Sequence, residues 1–419
     1  MEHIIIRGGN KLYGETTIQG SKNSSLPILA ATVLVKGVSV IHNCPDLSDV
    51  RAAVSILKHL GCNVIRENNT LTVDSSVVSC YNVPDCLMRE MRSSIVFLGS
   101  VLGRLGKAQL SSPGGCEIGL RPIDLHLSSL RYLGVSVDES HGEIICSADK
   151  KLSGGVVSLS FPSVGATENI ILACCLSQGR TVILNGAREP EIKDLADFLN
   201  SCGGRISIGS HGTIIIDGVE RLHSCEHSVI PDRIAALTYM SAVASSKGEV
   251  TLKGVDSSAF MSVIPLFEAM GCEIRDNINK LKITMTKRPE AVRDIRTMPY
   301  PGFPTDAQAI VMAVLTKAKG TSVIVENIFE SRFKHVPELQ RMGAKIKIEG
   351  KVALIDGSEN LYGAAVTSPD LRGGASLIVA ALGAQGETVI GGLGHIDRGY
   401  ENIEKALAGL GADIRRIPI

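Results

Sequence analysis

The chain has 419 residues, with 43 Lys and Arg against 43 Asp and Glu, so its formal net charge is zero. That length allows two or more domains around large cores. The even balance, with no long basic run, excludes a partner held by bulk charge, whether nucleic acid or an anionic membrane surface.

The opening MEHIIIRGGN is too short and too charged for a secretory signal. No apolar run reaches the roughly eighteen residues of a membrane-spanning helix, so no membrane insertion is expected. Eleven cysteines, an odd count without a C-x-x-C pair, predict reduced thiols in a cytoplasmic protein. Most should act as small core hydrophobes.

From there the elements recur in a fixed order. ILAATVL predicts a helix apolar on nearly every side, followed by Gly37 and the β-rich VSVI. VRAAVSILKHLG predicts a two-faced helix that stops at Gly61. The order returns at Gly106 and Gly134. It returns again with ENIILACCL, Gly179, TVIL and Gly203, then with RIAALTYMSAVA, Gly248, VTL and Gly271. AQAIVMAVL, Gly320, SVIV and Gly343 come next, and SLIVAAL, Gly386, TVI and IEKALAGLG, ending near Gly411, complete the series. Both glycine series step by about 70 residues. Short strands such as CEIR and AKIKI follow the second glycines. The pattern predicts an α/β fold of six repeats, with buried helices surrounded by sheets, in two bodies of three repeats each.

The six apolar helices begin on polar sets. These are Gly20-Ser21-Lys22-Asn23, Met91-Arg92-Ser93-Ser94, Ser163-Val164-Gly165-Ala166-Thr167, Pro231-Asp232-Arg233, Pro304-Thr305-Asp306 and Asp370-Leu371-Arg372. Helix N-termini carry unpaired N–H groups and partial positive charge, so several aimed at one place would bind a phosphate or carboxylate. Lys22, Arg92, Arg121, Arg372 and Arg398 would add full charges. Thr305, Asp306, Asp232 and Asp370 also suit plain helix caps.

One thiol stands apart. Cys116 lies in PGGCEIGLRPIDLHL, Pro113 to Leu127, flanked by glycines rather than apolar residues. Gly114, Gly115 and Gly119 allow a mobile backbone there. Arg121 nearby would favour the thiolate and hold an anion. The pattern points to a cysteine acid or nucleophile working on an anionic substrate.

These residues resemble the enolpyruvyl transferase family along nearly the whole chain. The resemblance rests on GGNKLYGETTIQGSKNSSLPILAA (Gly8 to Ala31), PDLSDV, PGGCEIGLRPIDLH, SVGAT, AREPEI, PDR, FPTDAQA, FESRFKHVPELQRMGA, DLRGGASL and HIDRGYENIEKAL. It implies a two-domain inside-out α/β barrel. Residues 1–20 and 230–419 would form one domain, and residues 21–229, with the Cys116 loop, the other. The active site would lie in a cleft that closes on substrate.

The implied reaction transfers the enolpyruvyl group of phosphoenolpyruvate to the 3′-hydroxyl of UDP-N-acetylglucosamine and releases phosphate. It runs through a tetrahedral ketal with no metal and no organic cofactor, and it opens peptidoglycan synthesis. By resemblance, Cys116 delivers a proton to C3 of phosphoenolpyruvate, can bond to that substrate, and is the thiol alkylated by fosfomycin. Lys22, Arg121 and Arg398 resemble the phosphate-binding cations, and Arg372 the carboxylate side, with Asp370 beside it. Asp306 resembles a general base next to the attacking hydroxyl and, with Asn23, would hold the sugar ring. Arg121, Pro122, Ile123, Asp124 and Leu125, with Phe161, Pro162, Ser163, Val164 and Gly165, resemble the uridine diphosphate site. Arg92 and Ile328 match further nucleotide-sugar contacts. Ser48 stands where some members carry a lysine. Two other readings are a shikimate 3-phosphate enolpyruvyl transferase and an inactive paralogue that binds UDP-sugars. Asn23 and the GGC loop argue against the first. The presence of Lys22, Cys116, Asp306, Arg372 and Arg398 argues against the second.

Overall fold

The computed structural model describes residues 2–91, 93–111 and 123–418. They cluster into two compact units. One runs to Gln19 and resumes at Pro231; the other runs from Gly20 to Ile230. Each has its own continuous hydrophobic core.

Among the described residues, six sheets of four strands are formed, three in each unit. All share one pattern, a parallel edge pair followed by two antiparallel pairs. In one sheet Gly155–Ser158 runs parallel to Arg180–Leu184, which pairs antiparallel with Ile214–Asp217 and so on to Ile206–Ile208. The strand next to the parallel edge starts at or just after a glycine of the first series, as in Val38–His42, Lys107–Ser111, Gly248–Lys253, Thr321–Val325 and Glu387–Gly391. The first strands of the chain belong to the later unit. Glu2–Arg7 pairs antiparallel with Asp413–Pro418, and Leu12–Thr17 runs parallel to Gly248–Lys253.

Burial separates the two kinds of helix as their composition requires. Every residue of Arg233–Ser246 is buried. In Lys22–Thr32 only Asn23 is not. By contrast Ser48–His59 buries Val50, Ala53, Ile56 and Leu57 and turns Arg51, Lys58 and His59 to solvent. The two-faced helices end alike. Gly61, Gly134, Gly203, Gly271, Gly343 and Gly411 have φ between 89° and 103°. The N–H after each glycine reaches back across the last turn, as from Cys62 to Leu57 O and from Ala412 to Leu407 O. That left-handed closure places a residue without Cβ at the corner and turns the chain into the next strand.

In the unit that holds Asp306, the buried helices Arg233–Ser246, Thr305–Leu315 and Leu371–Leu382 run parallel. Lys317, just past the second, donates to Ser245 O (3.4 Å) and Gly383 O at the C-terminal ends of the other two. At the opposite ends, Asp306 and Arg372, both in first turns, pair with each other. Three dipoles therefore add, with an ammonium at the negative end and the N-termini together at the positive end. Burial pushes the Lys317 ammonium down to about 8. In the other unit Arg104 reaches Leu34 O (3.5 Å), just past the Lys22–Thr32 helix, in the same capping manner.

The ten described cysteines are free thiols. Burial raises the pKa of Cys62, Cys146 and Cys174 to about 11 and of Cys175 and Cys272 to about 12, so these thiols are inert at neutral pH. Cys202 and Cys225 lie with their sulfurs 2.8 Å apart.

Candidate active site

Two groups of chemistry-bearing residues emerge, one in each unit. In the unit with Asp306, the Thr305–Leu315 helix starts at Pro304 with no side-chain cap. Thr305 and Asp306 are thus not spent on their own backbone. Asp306 Oδ1 takes a hydrogen bond from Arg332 (2.6 Å) and Oδ2 one from Arg372 (3.0 Å). Both arginine side chains are almost fully buried, whereas Asp306 stays about a quarter exposed (27%). Arg372 is held charged: burial pulls its pKa down, but Asp306, Tyr400 and Asp232 together more than offset that and raise it.

Around this pair lies a well-satisfied frame. Glu326, buried, accepts from Thr305 Oγ1 (3.0 Å), Thr297 Oγ1 (2.9 Å), Ile328 N (2.8 Å) and Phe329 N (3.1 Å). One carboxylate therefore fixes both the helix start beside Asp306 and the loop of Ile328. Arg372 also donates to Tyr400 Oη (3.2 Å). Asp370 is a cap, accepting from Arg372 N and Gly373 N, and Asp232 does the same for Ile234 N and Ala235 N. Arg398 is half-buried, two residues before Tyr400. Gln19 clamps this segment from both sides, donating to Gly399 O (3.0 Å) and accepting from Glu401 N (2.8 Å).

In the other unit, Lys22 opens the Lys22–Thr32 helix behind the cap Ser21. Its ammonium pairs with the buried carboxylate of Asp49 at 2.6 Å. Asn23 is half-buried beside it. Polar contacts gathered on Asp194 hold this helix start. Ser24 Oγ donates to Asp194, which also accepts from His227 Nε2 (2.8 Å) and Ile230 N (3.2 Å).

The same unit brings together two stretches that the sequence set far apart. Asp124 starts the Asp124–Tyr132 helix, exposed, with Ile123 and Leu125 half-buried around it. Ser163 caps the Val164–Cys174 helix through Ala166 N (3.3 Å). Phe161 is exposed, and Pro162, Val164 and Gly165 are half-buried. His126 ties the two helices. Its Nδ1 accepts from Asn169 Nδ2 (2.8 Å), while Asn169 Oδ1 accepts from Gly99 N (2.6 Å). The imidazole lies so close to Gly165 that a Cβ there would sit 3.0 Å from His126 Cε1.

Arg92, Cys116, Arg121 and Pro122 lie outside the described residues. Among the described residues no group of His, Cys, Asp and Glu is arranged to hold a metal ion, and no helix is long and apolar enough to cross a membrane. Sequence reasoning missed Asp49, Arg332, Glu326, His126 and Tyr400. Asp49 and Arg332 sit inside the quoted PDLSDV and FESRFKHVPELQRMGA stretches; their ion-pair partners come together only on folding.

The model of the EPSP synthase (3-phosphoshikimate 1-carboxyvinyltransferase) family matches residues 6–407. The chain is 52% identical to UDP-N-acetylglucosamine 1-carboxyvinyltransferase 2 of Caldanaerobacter subterraneus subsp. tengcongensis, over 100% of both chains. It is 47% identical to UDP-N-acetylglucosamine 1-carboxyvinyltransferase 1 of Symbiobacterium thermophilum, covering 99% of this chain and 95% of that one. The solved enolpyruvyl transferase NikO from Streptomyces tendae superposes with a TM-score of 0.90 at 25% identity, over 100% of this chain and 99% of that one. EPSP synthase from Acinetobacter baumannii shares the fold, with a TM-score of 0.78 at 17% identity over 100% of both. With this fold and likeness spanning its length, the chain belongs to the enolpyruvyl transferase family, which includes EPSP synthase and the UDP-N-acetylglucosamine 1-carboxyvinyltransferases.

Proposed function

We propose that this protein transfers the enolpyruvyl group of phosphoenolpyruvate to the 3′-hydroxyl of UDP-N-acetylglucosamine, releasing phosphate, in the cytoplasm and at the start of peptidoglycan synthesis. The observation that carries the reading is the 52% identity, end to end, with a relative named for that acceptor. The 17% likeness to EPSP synthase supports the fold and leaves the shikimate 3-phosphate acceptor without comparable support.

In this reading Cys116 gives a proton to C3 of phosphoenolpyruvate and the sugar 3′-oxygen bonds to C2. The hydroxyl proton passes to Asp306. The tetrahedral ketal then loses phosphate from C2 and returns a C3 proton to the Cys116 thiolate, which forms the C2=C3 double bond of the enol ether. Lys22, Arg121 and Arg398 neutralise the phosphate, Arg372 serves the carboxylate side at the helix start that Asp370 caps, and fixed charges of this kind stabilise the addition step. Asn23 and Asp306 hold the sugar. Arg92, Arg121 to Leu125, Phe161 to Gly165, and Ile328 hold the nucleotide.

Asp306 bridges Arg332 and Arg372, so an anionic substrate that draws on Arg372 competes with one of those bonds. The test is phosphate release from phosphoenolpyruvate with each acceptor in turn. Release with UDP-N-acetylglucosamine and none with shikimate 3-phosphate is expected. Release with shikimate 3-phosphate alone overturns the reading, and binding of the UDP-sugar without turnover replaces it with an inactive binding paralogue.

A further inference from the structure

Arg372 is anchored at both amino ends. One end donates to Asp306 and the other, at 3.2 Å, to Tyr400 Oη. Behind Tyr400 runs a short chain of hydroxyls. Its phenol oxygen lies 2.8 Å from Thr238 Oγ1, and Thr238 Oγ1 donates to Ile234 O at 2.8 Å. All three side chains are nearly inaccessible, with Thr238 and Tyr400 at 2% and Arg372 at 3% exposure.

The direction of this chain is fixed by its ends. A guanidinium can only donate and a carbonyl can only accept. Arg372 N–H therefore gives to the Tyr400 oxygen, Tyr400 O–H gives to Thr238, and Thr238 O–H gives to the Ile234 carbonyl. Each hydroxyl accepts one bond and donates one, so nothing in the relay is left unmade. Burial raises the phenol pKa and keeps Tyr400 a neutral donor at every working pH.

Two anchors set the guanidinium plane, whereas one would leave it free to swing. Among the described residues, Tyr400 and Asp306 occupy two of the five N–H groups of Arg372, which leaves the planar fork with donors for a ligand. Tyr400 is itself held in place, since Gln19 pins the backbone on either side of it. Without the phenol oxygen, a buried N–H of Arg372 would lack an acceptor. The arginine would turn toward the nearest one, Asp306, and be lost to any incoming carboxylate.

We infer that Tyr400 and Thr238 are positioning residues that orient Arg372 toward the carboxylate of phosphoenolpyruvate. The inference rests on the reading that Arg372 serves that carboxylate. The phenol acts through the arginine and touches no reacting atom, so its removal should be felt by one substrate only.

The experiment is steady-state phosphate release for Tyr400→Phe, Thr238→Val and Thr238→Ser, with each substrate varied in turn and a thermal melt of every variant. Tyr400→Phe is expected to raise KM for phosphoenolpyruvate about tenfold, the size of one lost hydrogen bond to a charged group. KM for UDP-N-acetylglucosamine should stay within about twofold. Thr238→Val should move in the same direction by less, and Thr238→Ser, which keeps the hydroxyl, should restore the wild-type value. Equal changes in both KM values, or no change in either for a folded Tyr400→Phe, overturn the inference while leaving the function standing. A wild-type protein that releases no phosphate with this pair of substrates overturns both.

Discussion

Acid should weaken the unit that holds Asp306 through one imidazole. His335 is fully buried, with the Arg332 backbone as a polar neighbour. It stands where the Val336–Arg341 helix begins, and a Cβ on Gly373 would lie 3.0 Å from its own Cβ. Burial lowers its pKa from an ordinary 6.5 to about 4, with Asp370 and the Arg332 backbone opposing that shift and the Arg332 charge adding to it. Between those values the unfolded chain binds a proton that the folded chain refuses. Stability therefore rises with pH across this window. The contribution is complete above pH 6.5 and is lost as the pH falls through 4. A gap of about 2.5 units corresponds to about 3 kcal/mol in all, and about 2 kcal/mol of it is gone by pH 5.

Urea unfolding of the wild type and His335→Leu at pH 7.5 and pH 5 measures this directly. Other titrating groups act alike in both proteins, so the difference between the two pH responses isolates the imidazole. The leucine variant should lose about 2 kcal/mol less than wild type on going to pH 5. Equal losses in the two proteins would rule this imidazole out as the acid-sensitive group, because a ring kept neutral by burial must be felt when protons are forced on it.

Three other outcomes are expected. With UDP-N-acetylglucosamine present, fosfomycin should label Cys116 before any other cysteine, since burial keeps Cys62, Cys146, Cys174, Cys175 and Cys272 protonated; peptide mapping that finds label elsewhere contradicts the assignment. Arg398→Ala should weaken phosphoenolpyruvate binding by about 2 kcal/mol, the loss of a charged hydrogen bond, measured by calorimetric titration, and an unchanged affinity places Arg398 outside the site. Diamide, a thiol oxidant, should join Cys202 to Cys225, whose sulfurs already touch, giving a cross-linked peptide that Cys225→Ser abolishes; failure to form it means the sulfurs do not meet in solution.

What could be read from the chain beforehand follows from range. The all-apolar runs such as RIAALTYMSAVA and the glycines at their ends are local signals, and each reappears as a buried helix and a strand start. Parallel edge strands such as Asn82–Val83 and Ile295–Arg296 are two residues long, too short to carry any periodicity. The helix-start carboxylates divided for a reason that no local pattern holds. Asp232 and Asp370 became caps, while Asp306 met Arg332 and Arg372, 26 and 66 positions away. Lys22 was legible as a cation at a helix start, but its carboxylate partner Asp49 was not. Tyr400 sits inside a stretch quoted for its likeness, yet its acceptor Thr238 is 162 residues distant.

The six helix-ending glycines carry a lesson for mutagenesis. Each occupies a left-handed corner that other residues adopt only under strain. Random libraries selected for growth should therefore be depleted at Gly61, Gly134, Gly203, Gly271, Gly343 and Gly411 as sharply as at chemical positions. Intolerance at these sites marks where the backbone bends, and drug-resistance surveys that rank residues by sensitivity alone would mistake hinges of construction for points of contact with an inhibitor.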